Sequence, residues 1–389
     1  MPTENWLLYV DESGDFDETG DTCVVSALLL KGEELAEDST ALREMLGTIF
    51  PLAPWPPHAT ELNLPSARVY YVMAGLVPLA TDAVADDVRA AIAVFEGSTM
   101  PEAAQWRGHA KQGRRPQYAW LESGNVVLRR ECPDVFRALQ TRAVAERTAL
   151  RNLLADASAH VGPRGFAALT AVSSRRPADG PPEQEVATGA LRRDGYLDAL
   201  ETLIERAVMV VRGGRRPAAT DVRIWARVAT RHVGVEGIGS VALNSDHVAR
   251  VAERAAAVGN VGQTALVRVR SLDRVTRYDG SVHPGVVLAD AIANGMRRVL
   301  LTRGRDHLGW DQLAGFCEDA LGIPAVVPVP SLDASDLPAV AVTGASRTAV
   351  QAAARREETL PLVAEPARWA REQAAEWVGA LTRAWEAPQ

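Results

Sequence analysis

The sequence predicts an α/β protein whose mixed sheet opens antiparallel, continues as βαβαβ and is flanked by helices. Three observations carry this. Short runs of strand formers stand at 6–11, 22–30, 165–174, 222–230 and 264–272. Amphipathic segments at 194–212, 245–258 and 283–303 alternate with the last three runs. A long helix-like stretch over 66–160 separates the second run from the third.

Each element has its own warrant. WLLYVD (6–11) is apolar and runs into the turn residues of DESGDFDETGD. TCVVSALLL (22–30) follows closely enough to hairpin with it. Residues 39–50 place Leu42, Met45, Leu46 and Ile49 on one helical face. The prolines of 51–65 forbid a continuous helix, because each removes a donor and restricts its predecessor. Within 66–160, polar and Gly- or Pro-containing sequence predicts breaks near 97–117 and 123–133. The helix 194–212 is marked by Tyr196, Leu197, Leu200, Leu203, Ile204, Val208 and Val211, and the helix 283–303 by Pro284 at its start. Residues 323–348 read as irregular. Residues 365–387 read as a C-terminal helix with Trp369, Trp377 and Trp385 near one face. The expected organisation is a core formed by 1–65 and 161–305, an insertion over 66–160 and an extension over 306–389.

The chain has 389 residues, 47% of them hydrophobic and 23% charged, which suits a globular core and excludes a wholly disordered chain. Its net charge of −7 is unevenly spread. Residues 1–62 hold 13 acids and 2 bases, whereas 206–305 hold 7 acids and 17 bases. Three distant cysteines, Cys23, Cys132 and Cys317, have no metal-site spacing and fit a reducing compartment. There is no basic leader and no apolar run of membrane-spanning length, so a cytoplasmic protein without a membrane partner is expected. Phosphate-loop, dinucleotide-fingerprint, nucleophile-elbow and HExxH motifs do not occur.

Five groups of residues could carry chemistry. Asp11 and Glu12 end the first strand, and further acids follow at Asp15, Asp17, Glu18 and Asp21. A carboxylate held by a rigid strand suits a hard cation, and the alternative is a solvated acidic turn. Asp290 stands within an apolar helix, where a carboxylate is costly unless paired; a salt bridge to Arg297 or Arg298 would also satisfy it. His58 and Glu61 share a short segment and could ligate a metal, relay a proton or cap a helix. Glu201 and Glu205 share a helix face, and Asp246 begins a helix, where capping explains it. On the basic side, the spacing of Arg223, Arg227 and Arg231 places them on one strand face, and Arg268 and Arg270 do the same on the next. Such a face suits a nucleic-acid backbone, or it docks against the acidic front. Aromatic residues are only 5%, which argues against extensive base stacking.

LLYVDESGD with its second apolar strand, the PHATEL segment and the GVVLADAIANG helix together resemble the bacterial family called domain of unknown function 3800. The resemblance covers about residues 6–303 and implies a ribonuclease H-like, five-stranded mixed sheet with a helical insertion and a C-terminal helical tail. In such a fold the first strand, the fourth strand and the last helix gather acids around one or two divalent ions. Asp11 matches the first of these and Asp290 the last. The fourth strand, VRIWARVATR, departs from the pattern because it has no acid. Asp246, Glu236 or Glu61 are the candidates for the missing oxygen. The resemblance thus implies a Mg²⁺- or Mn²⁺-dependent nuclease or phosphodiesterase, with a role in defence against mobile DNA. Asp11, Glu12, Glu61 and Asp290 would be its metal ligands, and Asp11, Asp290 and His58 its catalytic residues. Arg223, Arg227, Arg231, Arg268 and Arg270 would hold the nucleic acid. The alternatives are a member that binds without cutting and an interaction protein that uses the insertion or the tail.

Overall fold

A computed structural model of the chain describes residues 3–14, 16, 22–32, 36–79, 83–161, 166–174, 195–212, 221–229, 231–235, 239–243, 245–259, 267–271, 283–303, 327–330 and 339–342. The chain divides into two compact units, one of 1–35 with 154–389 and one spanning Ala36–Leu153.

The first unit is a mixed α/β structure. Its strands are β1 (Thr3–Ser13), β2 (Thr22–Lys31), β3 (Phe166–Ser174), β4 (Asp221–Val228), the pair β5 (His232–Val235) and β6 (Gly239–Ala242), β7 (Val267–Ser271), β8 (Val327–Pro330) and β9 (Ala339–Val342). Seven of them form one sheet in the order β7-β4-β1-β2-β3-β9-β8, and β5 and β6 make a separate hairpin. β1 runs antiparallel to β2, and β2 to β3. β1, β4 and β7 are parallel neighbours.

Strand alternation decides what each face buries. Trp6, Leu8 and Val10 of β1 join Cys23, Val25, Ala27 and Leu29 of β2 in one core. Helices cover that face: unit-one helices at Gly195–Arg212 and Ser245–Gly259 contribute Leu200, Leu203, Ile204, Val208, Val248 and Val251. The even positions Val222, Ile224, Ala226 and Val228 of β4 point into the same core. Leu8 is fully buried, so Leu8→Ala would cost about 2–5 kcal/mol. The opposite face carries Leu7, Tyr9, Asp11 and Ser13, and a third helix, Pro284–Arg303, lies across β1 and β2 there. A Cβ on Gly285 would stand 2.4 Å from the Tyr9 ring, so only glycine lets that helix start so close to the strand.

The second unit is helical: α1 (Ala36–Ile49), α2 (Ala59–Leu62), α3 (Ser66–Met73), α4 (Ala83–Gly97), α5 (Pro101–Ala110), α6 (Tyr118–Glu131) and α7 (Pro133–Val161), the last running beyond the unit's boundary. The helices of the first unit are then α8 (Gly195–Arg212), α9 (Ser245–Gly259) and α10 (Pro284–Arg303). Trp106 centres the helical core, stacked on Phe95 at 3.8 Å and edge-on to Tyr70 at 5.2 Å. Arg68 is buried there against Glu146, which also accepts from Arg142 Nε at 3.0 Å. Arg68 Nη2 donates to the Leu62 carbonyl as well, at 3.1 Å. Trp55–Pro56 in the proline-rich connection is cis.

Several expectations change. The helical unit begins at Ala36 rather than 66, because α1 groups with the helices that follow it. The break expected at 123–133 falls at Cys132, between α6 and α7, and not at Gly124: α6 passes through that glycine, where a Cβ would come within 2.8 Å of Trp106 Nε1. That glycine is a packing contact rather than a helix end. The break expected at 97–117 contains α5, started by Pro101 in the first turn. The hairpin β5–β6 had no sequence signal strong enough to predict it. Parts of 323–348, expected to be irregular, add β8 and β9 beside β3. The tail over 365–387 and residues Asp15, Asp17, Glu18, Asp21 and Glu236 lie outside the described residues. Among the described residues, no helix is long and apolar enough to cross a membrane.

Candidate metal centre and arginine face

Asp11 stands near the C-terminal end of β1, on the face covered by α10. Its Cα partner on β2 is Ser26, whose own partner on β3 is Thr170. Ser26 Oγ and Thr170 Oγ1 are 3.0 Å apart, so a buried polar row crosses three strands beneath α10. Asp11 Oδ1 accepts the Glu12 backbone N–H at 2.8 Å, which fixes its orientation. Gly14 then turns the chain with φ of 113°, a conformation that glycine alone adopts cheaply.

α10 supplies Asp290, only 6% exposed, with Asn294 one turn on and equally buried. Val287, Leu288, Ala289, Ile292 and Ala293 pack around them. Burial and the nearby Asp290 carboxylate, with a further contribution from Glu12, push Asp11 well above the ordinary aspartate range. The structure therefore brings Asp11, Glu12 and Asp290 into one electrostatic cluster.

Glu12 points toward the other face of β1. Arg231 Nη1 lies 3.8 Å from its Oε1, while no N–H or O–H donor among the described residues meets its buried Oε2. Burial outweighs the attraction of Arg231, and Asp290 adds repulsion, so Glu12 is pushed up to about 7. Arg231 also sits over the rings of Phe16 at 4.9 Å and Tyr196 at 4.3 Å. Those rings meet edge to face at 5.5 Å. The Arg231 carbonyl accepts from Leu243 N at 2.7 Å, just past the β5–β6 hairpin.

The five arginines are thus not on one face. β4 ends at Val228, and Arg231 lies beyond it, turned to Glu12, Phe16 and Tyr196. Arg223, Arg227 and Arg268 do share a side. Arg223 and Arg227 occupy half-exposed odd positions of β4, and Arg223 and Trp225 pair in register with Arg268 and Arg270 of β7. Arg268 is exposed. Arg223 holds Asp221 at 2.7 Å. Arg227 is the register partner of Tyr9, and His283, just before α10, lies near enough to be affected by its charge. Burial, then Arg227, pushes His283 down to about 4.

His58 and Glu61 belong to the helical unit. His58 is exposed at the start of α2, and its side chain makes no capping bond. Glu61 accepts from the Tyr71 hydroxyl and lies 3.6 Å from Arg115 Nε. Glu201 pairs with Arg254 at 3.0 Å across α8 and α9, and Asp246 is an exposed first-turn acid of α9. Phe16, Tyr196, Ser26, Thr170 and His283 were not predicted as site residues. Only the position of His283, seven residues and so nearly two turns before Asp290, hinted at a shared helix side.

Among the described residues, no three His, Cys, Asp or Glu side chains converge as a metal-holding group. The chain matches no family model, no curated protein and no solved structure.

Proposed function

We propose that this chain is a divalent-metal-dependent phosphodiesterase acting on nucleic acid, with a ribonuclease H-like core of the domain of unknown function 3800 type. One observation carries the proposal: at the end of the central strand Asp11 stands beside the buried Asp290, whose charge raises it, with no cation among the described residues neutralising Asp11. The strand order β3-β2-β1-β4-β7, with β2 antiparallel and the last helix across β1, supports the fold.

The donor set fits a hard cation. Asp11 and Asp290 offer only carboxylate oxygen. Mg²⁺ is commonly held by one or two carboxylates and completed by water and substrate phosphates, so a three-residue protein cage is not required. When bound, such an ion activates water and stabilises the leaving oxygen. The chain's own residues do the rest. The Glu12 N–H orients Asp11, α10 holds Asp290 over the strand end, and the arginines of β4 and β7 receive the phosphates. His58 and Glu61 are not needed.

Titration of Mg²⁺ or Mn²⁺ with melting followed, then incubation with labelled RNA and DNA, tests this. Wild type should gain stability and cut, whereas Asp11→Asn and Asp290→Asn should do neither. Absence of both responses in wild type would overturn the proposal. A second reading is favoured by the β4 end, where Val228 and Ala229, not an acid, lie beside Val10. A member that binds without cutting would retain salt-dependent binding in Asp290→Asn and never cleave.

A further inference from the structure

A parallel sheet segment is normally covered on both faces, because crossover helices pack on each. Among the described residues, β1, β4 and β7 depart from this. On one side α8 and α9 bury the even positions of β4. On the other, α10 packs on β1 and β2, while Asp221, Arg223, Trp225 and Arg227 of β4 are all only half-buried and Arg268 of β7 is exposed. This open side carries Arg223, Arg227 and Arg268, with Arg270 in register beside Trp225. An uncovered apolar face would invite another helix, whereas an arginine-lined one suits an anionic chain.

Trp225 distinguishes the kind of chain. It sits between Arg223 and Arg227 on the strand, flanked by Arg270 across the register. Its Nε1 donates to Asn5 Oδ1 at 3.3 Å, which ties one edge of the indole to β1. A tethered, half-buried ring among arginines offers a stacking surface with little further entropy to lose. Duplex bases are stacked on one another inside the helix and are not available to such a ring, whereas single-stranded bases are.

We propose that the open side of β4 and β7 is a track for single-stranded nucleic acid, in which Trp225 stacks on a base and Arg223, Arg227 and Arg268 hold the flanking phosphates. This rests on the nucleic-acid part of the function proposed above and names its substrate class. The track ends at Arg227 and His283, beside the start of α10, so a strand lying along it approaches Asp290 from the β4 side. The low aromatic content is no obstacle, because a single well-placed ring is enough to stack one base.

Fluorescence polarisation of the full chain with labelled 20-mers tests the proposal: oligo-dT, oligo-rU and a mixed-sequence duplex, all in EDTA so that nothing is cut. Either single strand should bind about tenfold or more tighter than duplex, given that one stacked base contributes about 5- to 150-fold. Trp225→Ala should lose affinity for the single strands in that range and leave duplex binding unchanged. Trp225→Phe should keep most of it, which separates a lost ring from a lost Asn5 contact. Arg268→Ala, at an exposed site, should lower the slope of log affinity against log salt by about 1. Equal binding of duplex and single strand overturns the proposal. So does wild-type affinity in folded Trp225→Ala, or a dimer broken by Arg268→Glu in a chain that binds no oligonucleotide. The two proposals fail separately: single-strand binding through Trp225 without cleavage sinks only the catalytic one. Cleavage indifferent to Trp225 sinks only this one.

Discussion

Replacing Glu12 with glutamine should stabilise the protein at pH 8 and leave it nearly unchanged at pH 4.5. Glutamine mimics the protonated acid, so the variant differs from wild type by the free energy of ionising Glu12 in the folded chain. That acid ionises at about 7 when folded, against an ordinary value of 4.5. A folded-state value above the unfolded one means that the folded chain binds more protons between these limits. Its contribution is therefore fully present below 4.5 and is lost as pH rises through about 7. The shift corresponds to about 3 kcal/mol, at roughly 1.4 kcal/mol per pH unit. No large discount for solvent applies, since the side chain is 19% exposed. The attraction of Arg231 is already contained in that value. Urea unfolding of both proteins at half-unit steps from pH 4.5 to 8 gives the difference directly. It should grow through pH 5–7 and level off above. Excess Mg²⁺ at pH 8 should narrow it by stabilising wild type, by about 2.7 kcal/mol at one hundred times the dissociation constant. A difference that does not vary with pH, or a variant weaker than wild type at pH 8, would show that Glu12 is not an uncompensated buried acid.

Gly285→Ala should drive a methyl into the Tyr9 ring and cost about 1–3 kcal/mol, with a larger loss of metal response because α10 carries Asp290; thermal melts with and without Mn²⁺ check both. Glu146→Gln should cost about 3–5 kcal/mol by leaving the buried Arg68 charge without its partner, whereas the double change Arg68→Met with Glu146→Leu should cost much less, as read by urea melts. His283, held down to about 4 by burial and Arg227, should stay neutral through pH 6. Its folded value lies below the unfolded one, so its contribution to stability should fall as pH drops from 6.5 toward 4. Imidazole chemical shifts in a pH titration should show it as a histidine that does not move above pH 5.

Local pattern carried the elements well. The runs at 22–30 and 222–230 became β2 and β4, and the segments at 194–212 and 283–303 became α8 and α10, within a residue or two. Periodicity also placed Asp290 at the buried boundary, where it lies. What failed was non-local. Gly124 reads as a helix breaker until Trp106 is known to lie against it. Arg231 has the spacing of Arg223 and Arg227, but β4 stops three residues earlier, and no local rule foretells that Phe16 and Tyr196 will receive it. Glu61 has the look of a ligand, and its engagement depends on Tyr71 of α3 and on Arg115 in the distant connection between α5 and α6. The single tryptophan that matters to the arginine face was hidden in a composition that counted aromatics without placing them.

The polarised charge left one question open: whether the acidic front and the basic stretch neutralise each other or meet something else. The titration of the acids bears on it directly. Carboxylates docked against arginines are held below their ordinary range, because the cation favours the charged form. Asp11 and Glu12 are both pushed above it. Among the described residues, the cation that reaches Glu12 is Arg231, at 3.8 Å, and its attraction is smaller than the burial that opposes it. The arginines of β4 and β7 give Asp11 no such relief. Arg223 is held by Asp221 on its own strand, and Arg268 points to solvent. Among the described residues, these arginines therefore do not neutralise Asp11 and Glu12. Asp11 beside the buried Asp290 suits a cation and the exposed Arg268 suits an anion, and the polynucleotide with divalent ions proposed above would satisfy both at once.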